Sequence, residues 1–150
     1  MKGNRTSITI VMADDDQEDC IMTRDALAES RVVNDLRFVQ DGEELMDYLL
    51  RRGSYEALGA APRPGLILLD LNMPRKDGRE ALRQIKGDAQ LRDIPIVVLT
   101  TSKSEEDILR SYTSGASSFI TKPVTFGGLV EVMKTLGQYW FDIVDLPMQP

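Results

Sequence analysis

Short apolar runs punctuate the chain, and between them lie longer segments whose apolar residues recur every three or four positions. The clearest run is Leu66 to Pro74, Leu-Ile-Leu-Leu-Asp-Leu-Asn-Met-Pro, in which four aliphatics end abruptly in Asp70. An unbroken apolar run of this length predicts a strand buried on both faces. Ile8 to Ala13 is a second such run and stops at Asp14-Asp15-Asp16. Leu36 to Val39 is a brief one, Ile94 to Leu99 ends in Thr100-Thr101-Ser102, and Ser118 to Thr121 ends at Lys122-Pro123.

The intervening segments predict helices. From about Gln17 to Ser30, Cys20, Thr23 and Leu27 share a face, and Asp16 stands three residues before Asp19 in a capping spacing. Asp41 caps the next helix, with Leu45 and Leu49 facing inward. Asp77 and Glu80 frame a third that buries Leu82 and Ile85. Ser104 and Asp107 repeat the cap spacing before a fourth that buries Ile108 and Tyr112. The last begins near Phe126 or Gly128 and carries the stripe Leu129, Val132, Met133, Leu136 and Trp140. Arg51 to Gly65, rich in Gly and Pro, reads as one long surface loop.

Strands alternating with helices predict a parallel α/β sheet with helices on both faces and right-handed crossovers. In such open sheets ligands bind at the carboxyl ends of the strands. Here those ends carry Asp14-Asp15, Asp70, Thr100 and Lys122. Carboxylates, a hydroxyl and an ammonium therefore converge on one rim.

Composition narrows what that rim does. The 150 residues fit one domain, and 18 basic against 24 acidic residues give a net charge of −6, which argues against a nucleic-acid-binding surface. No apolar run approaches the roughly 20 residues needed to span a bilayer, and no signal peptide opens the chain. A single cysteine, Cys20, suits a reducing compartment, so the expected location is cytoplasmic. With no histidine, the chain has no His-based triad, no histidine metal ligand and no phosphohistidine. Nor is there a glycine-rich phosphate loop.

Acids pressed together repel unless a cation neutralises them. Hard carboxylate oxygens with a backbone carbonyl suit Mg²⁺. Adding the hydroxyl of Thr100 and the ammonium of Lys122 makes a site for a phosphoryl group, attacked in line by a carboxylate. Pro123 fixes the backbone that aims Lys122.

Ala13-Asp14-Asp15-Asp16, Leu69-Asp70-Leu71-Asn72-Met73-Pro74 with Gly78, Leu99-Thr100 and Thr121-Lys122-Pro123 stand in the order and spacing of a known family. The chain resembles the receiver domain of two-component response regulators from about Ile8 to Leu136. The resemblance implies a flavodoxin-like doubly wound sheet of order 2-1-3-4-5, one receiver domain over 1–150 with its core at about 7–137, and an extension over 138–150. It implies Asp70 as phosphoacceptor, loaded from the phosphohistidine of a sensor histidine kinase. Asp15 and Asp70 would ligate Mg²⁺, Asp14 through water and Asn72 through its backbone carbonyl. Thr100 would contact the phosphoryl group and Lys122 would pair with it. Phe119 matches the aromatic switch position, without the hydroxyl that many members carry. Such a protein transfers the phosphoryl group to itself and loses it slowly, and is otherwise no enzyme.

Tyr139, Trp140 and Phe141 extend past the expected last helix, and aromatic area outside a core is a candidate interface. With the long loop and the run Leu99 to Asp107, this tail is similar to the single-domain regulators of bacterial and cyanobacterial phytochromes. That likeness implies a phytochrome-type kinase as partner and a homodimer through the fourth helix, fifth strand, fifth helix and tail. Two rival readings stand beside this one, the first of them on the same fold. A pseudo-receiver would bind partners without phosphate but would have lost an acid or the lysine. A phosphohydrolase would need an acid/base beside Asp70, where Asn72 has no proton to shuttle.

Overall fold

The computed structural model describes residues 8–29, 34–59, 63–122 and 125–137. Strands β1 (Ile8–Ala13), β2 (Asn34–Val39), β3 (Leu66–Leu69), β4 (Ile96–Thr100) and β5 (Ser118–Thr121) form one parallel sheet of order β2-β1-β3-β4-β5. Helices α1 (Gln17–Glu29), α2 (Gly42–Leu50), α3 (Gly78–Lys86), α4 (Glu105–Thr113) and α5 (Phe126–Gly137) alternate with them.

The apolar runs are explained by the pleat. Successive side chains point to opposite faces, and both faces are covered. Val11, Ala13, Ile67, Leu69, Ile96 and Val98 pack against Leu45, Met46 and Leu49 of α2 and Ala81, Leu82 and Ile85 of α3. Ile10, Met12, Leu66, Leu68, Val97 and Leu99 pack against Ala26 and Leu27 of α1 and Leu129, Val130, Met133 and Leu136 of α5. Fully burying one such side chain contributes roughly 1.5–3 kcal/mol. The carboxyl ends of β1, β3 and β4 are therefore where the chain passes from buried apolar to polar residues.

Register then sets the rim. Ala13 lies opposite Leu69, so Asp14 and Asp70 leave adjacent strands at one level. Thr100 lies opposite Thr121, so Lys122 follows one step beyond. The ladder runs past the strands: Asp14 N–H donates to Val39 O, Asp70 N–H to Ala13 O and Lys122 N–H to Thr100 O.

Local differences from the sequence reading have local causes. Strand β2 begins at Asn34 rather than Leu36, because it pairs with β1 along its length while its exposed positions are polar. Strand β4 begins at Ile96 rather than Ile94, because Pro95 has no N–H for the ladder. The loop after α2 is not wholly irregular. A 3₁₀ helix over Gly53–Leu58 is fastened to α2 by Tyr55, whose ring meets Tyr48 edge-on at 5.2 Å and whose hydroxyl donates to Glu44. Tyr112, expected inside, is 48% exposed, and the buried residue of α4 is Ser111. Helix α4 lies along the edge strand, where Tyr112 reaches over to accept from the Phe119 N–H. Tyr139, Trp140, Phe141 and the extension 138–150 lie outside the described residues.

Candidate phosphoacceptor and metal site

The strand ends bring Asp14, Asp70, Thr100 and Lys122 together. Lys122 is the hub, its ammonium donating to Asp14 Oδ2 at 2.6 Å, Asp19 Oδ2 at 2.7 Å and Asp70 Oδ2 at 3.2 Å. Its three donors thus meet three carboxylates. The other oxygen of Asp70, Oδ1, accepts from Thr100 Oγ1 at 2.7 Å and from the Asn72 N–H at 3.2 Å. Both carboxyl oxygens of Asp70 are therefore aimed by neighbours.

Two glycines let the chain close over this rim. A Cβ on Gly78 would stand 2.1 Å from Asp70 O, so only glycine lets the start of α3 press on the backbone of Asp70. A Cβ on Gly42 would meet Lys76 O at 2.3 Å, which fixes the loop after β3 against α2. Asp77 and Asp41 cap those helices, accepting from Arg79 N and Glu44 N. Asp16 caps α1 by accepting from Glu18 N and Asp19 N, so the third acid of the triplet points away from the site.

Asp14, Asp15 and Asp70 present carboxylate oxygens that all lie within 4.8 Å of one another, with Asp14 and Asp70 buried and Asp15 exposed. This all-oxygen donor set fits a hard divalent cation such as Mg²⁺, and its exposed member leaves room for retained water. Burial pushes the Asp14 carboxyl up to about 6, against the pull of its hydrogen bonds from Lys122 and the Asp16 N–H. Burial also works against the Lys122 ammonium, but hydrogen bonds to Asp14 and Asp19 outweigh it and hold its pKa above the ordinary lysine value. The site thus keeps one fixed positive charge among acids that a cation would relieve. Cys20 takes no part in this chemistry: burial pushes its thiol up to about 12, and the nucleophilic thiolate is suppressed.

Asp19 escaped sequence reasoning. It sits in the first turn of α1 and meets a lysine 103 residues away. The available signal was positional, since the first turn of a helix that follows a strand end lies over the same rim. Phe119, on β5, packs half-buried against the core face shared with α2 and α3.

Residues 10–134 match the response regulator receiver domain family. The chain is 38% identical over 138 residues to response regulator Rcp1 of Synechocystis, a match covering 92% of each chain. A crystal structure of the Mn²⁺-bound form of Rcp1 superposes with a TM-score of 0.85 at 37% identity, covering 94% of this chain and 99% of that one. The phosphorylated cyanobacterial phytochrome response regulator RcpA gives 0.87 at 40% identity, covering 95% and 100%. RPA3017, a response regulator in red light signaling of R. palustris, gives 0.87 at 35% identity, covering 94% and 99%. With its motifs, sheet order and acid cluster matching over most of its length, the chain belongs to the response regulator receiver domain family, close to the regulators associated with phytochromes.

Proposed function

We propose that Asp70 accepts a phosphoryl group from the phosphohistidine of a sensor histidine kinase of the phytochrome type, and that the loaded protein signals by contact with other proteins. The carrying observation is the convergence on Asp70 of Thr100, Lys122 and two further acids, with both Asp70 oxygens hydrogen-bonded. In the transfer, an Asp70 carboxylate oxygen forms the new bond to phosphorus. The phosphorus–nitrogen bond breaks, and the imidazole leaves with its electron pair. Lys122 and Thr100 supply a positive charge and a donor for the incoming phosphoryl oxygens. Asp14, Asp15 and Asp70, with the Asn72 carbonyl, would hold Mg²⁺, which when bound neutralises phosphoryl charge. Asp19 gives Lys122 an acceptor besides Asp14 and Asp70, one that would remain to it if those two held the cation. Phe119 is the aromatic that responds when Thr100 moves.

The phytochrome assignment rests on the likeness to RcpA and RPA3017, whose light-signalling roles belong to those proteins. A homodimer through α4, β5, α5 and the tail is supported by apolar area on α4, where Leu109 is 68% exposed beside the exposed Tyr112. Leu109→Arg should then lower the sedimentation mass at tens of micromolar, and a wild type already monomeric there would remove the claim.

Beryllofluoride with Mg²⁺ tests the main reading. It should shift the amide resonances of Thr100 and Phe119, and Asp70→Asn should abolish the response. A response that survives in Asp70→Asn would refute the assignment. No response to Mg²⁺ in the millimolar range would favour a phosphate-independent binding module.

A further inference from the structure

Outside the acid site, Arg79 on the first turn of α3 makes a second network. Its guanidinium meets Asp107 on the first turn of α4 in a two-pronged pair, Nε to Oδ1 and Nη2 to Oδ2, both at 2.7 Å. It also donates to Asp77 Oδ2 at 3.0 Å, Asn72 Oδ1 at 3.3 Å and Leu71 O at 3.4 Å. Asp107 accepts in addition from Ser102 Oγ at 2.7 Å.

Followed in both directions, these contacts return to a single atom. From Asp107 the path runs through Ser102, whose N–H donates to Thr100 Oγ1 at 3.4 Å, and Thr100 donates to Asp70 Oδ1. From Arg79 it runs through the side chain of Asn72, whose N–H donates to the same Asp70 Oδ1. Both donors on that oxygen are therefore tied to one arginine–carboxylate pair on the far side of the loop after β4.

We propose that Arg79 and Asp107 are positioning residues that latch this loop in its unloaded arrangement, so that loading of Asp70 has to work against them. The inference rests on Asp70 being the phosphoacceptor. A phosphoryl group added to Asp70 places new acceptor oxygens farther out than the carboxyl oxygens they extend. Thr100 and the Asn72 N–H then face a displaced acceptor, and Thr100 carries Ser102 with it. Ser102 is held at its other end by Asp107, whose two oxygens are fixed by a planar fork that tolerates little sliding. Thr100 holds Asp70 at 2.7 Å, the connecting links through Asn72 and the Ser102 N–H are longer at 3.2 to 3.4 Å, and the far clasp is again short at 2.7 Å. Movement of the loop is thus opposed by the clasp. Whatever opposes the loaded arrangement lowers affinity for the group that loads it.

The test measures beryllofluoride affinity in saturating Mg²⁺, with Mg²⁺ affinity measured separately. Asp107→Asn and Arg79→Gln should each tighten beryllofluoride binding by roughly three- to tenfold and leave Mg²⁺ affinity unchanged, whereas general structural damage would weaken both. Ser102→Ala removes one arm of the clasp and should tighten binding in the same direction, which keeps the test usable if Arg79→Gln does not fold. An unmutated readout is the Arg79 Nε–H resonance, protected from water exchange in the unloaded protein and exchanging after beryllofluoride is added. Unchanged or weakened beryllofluoride affinity in all three variants, or protection that persists on loading, would overturn the latch while leaving Asp70 as phosphoacceptor. A wild type with no beryllofluoride response would remove the phosphoacceptor reading and the latch with it.

Discussion

Two cations, Lys122 and Arg79, stand at the same end of the sheet and hold acids together under opposite conditions. The Lys122 side chain is 10% exposed, between a fully buried Asp14 and a nearly buried Asp70. The Arg79 side chain is 32% exposed and bridges helix starts at the surface. An ammonium is a point charge whose three donors re-aim easily. A guanidinium is a rigid fork that fixes geometry and stays charged at any working pH. The buried position therefore carries the group whose donors can re-aim, and the surface position carries the one whose geometry is fixed. Contact lengths alone do not separate them, since both make pairs of about 2.7 Å. Burial does.

The largest effect that would sharpen this contrast is expected from Lys122→Ala. Leaving buried carboxylates without their cation should cost roughly 3–5 kcal/mol in metal-free protein near pH 8, read by denaturant unfolding, and Mg²⁺ should restore part of it. A loss below about 1 kcal/mol, the scale of exposed pairs, would put Lys122 in the same class as Arg79. Next in size is Gly78→Ala, where a methyl group driven against the Asp70 carbonyl should cost roughly 1–3 kcal/mol and weaken Mg²⁺ binding too. Full stability with unchanged Mg²⁺ affinity would show that α3 does not press on the site.

Acid should move the two networks in opposite senses. Asp14 titrates at about 6 in the fold against 3.8 unfolded, so between those values the native state keeps a proton that the unfolded chain has lost. Its contribution to stability is greatest below that window and falls as pH rises through it, and Mg²⁺ affinity should drop as pH falls below about 6. The hydrogen bonds from Arg79 hold Asp107 down at about 2 against 3.8. Its contribution is present above 3.8 and lost as pH falls toward 2. Side-chain carboxyl titration by NMR checks both, and an Asp14 that titrates near 3.8 would break the contrast. The smallest effect is the coupling energy of an Arg79/Asp107 double-mutant cycle in metal-free protein, about 1 kcal/mol or less for a half-exposed pair. A coupling as large as the Lys122 loss would mean that exposure does not divide the two.

The difference between the networks also marks what could be read from the sequence. Asp14, Asp70 and Thr100 were legible because each ends a run of buried residues, Lys122 because it closes the short half-buried edge strand, and strand order makes such ends neighbours. Asp19, Arg79 and Asp107 were not. Each lies in the first turn of a helix, where an acid or arginine is ordinary surface chemistry, and which partner it meets depends on how helix starts and strand ends sit across the rim. Tyr112 failed for a related reason. Its spacing from Ile108 matches a buried stripe, but α4 has only the sheet edge to cover, and the small Ser111 takes the inner position. The loop after α2 kept its 3₁₀ turn hidden because Tyr55 is anchored by Glu44, eleven residues earlier, and not by any local pattern.

The central claim is tested most directly by exposing the protein to a small phosphodonor such as phosphoramidate with Mg²⁺ and mapping the product by intact and peptide mass spectrometry. The account predicts one phosphoryl group on Asp70, released by hydroxylamine as an acyl phosphate must be, needing Mg²⁺ and absent in Asp70→Asn. A hydroxylamine-stable group on a serine or threonine, or undiminished labelling of Asp70→Asn, would contradict it.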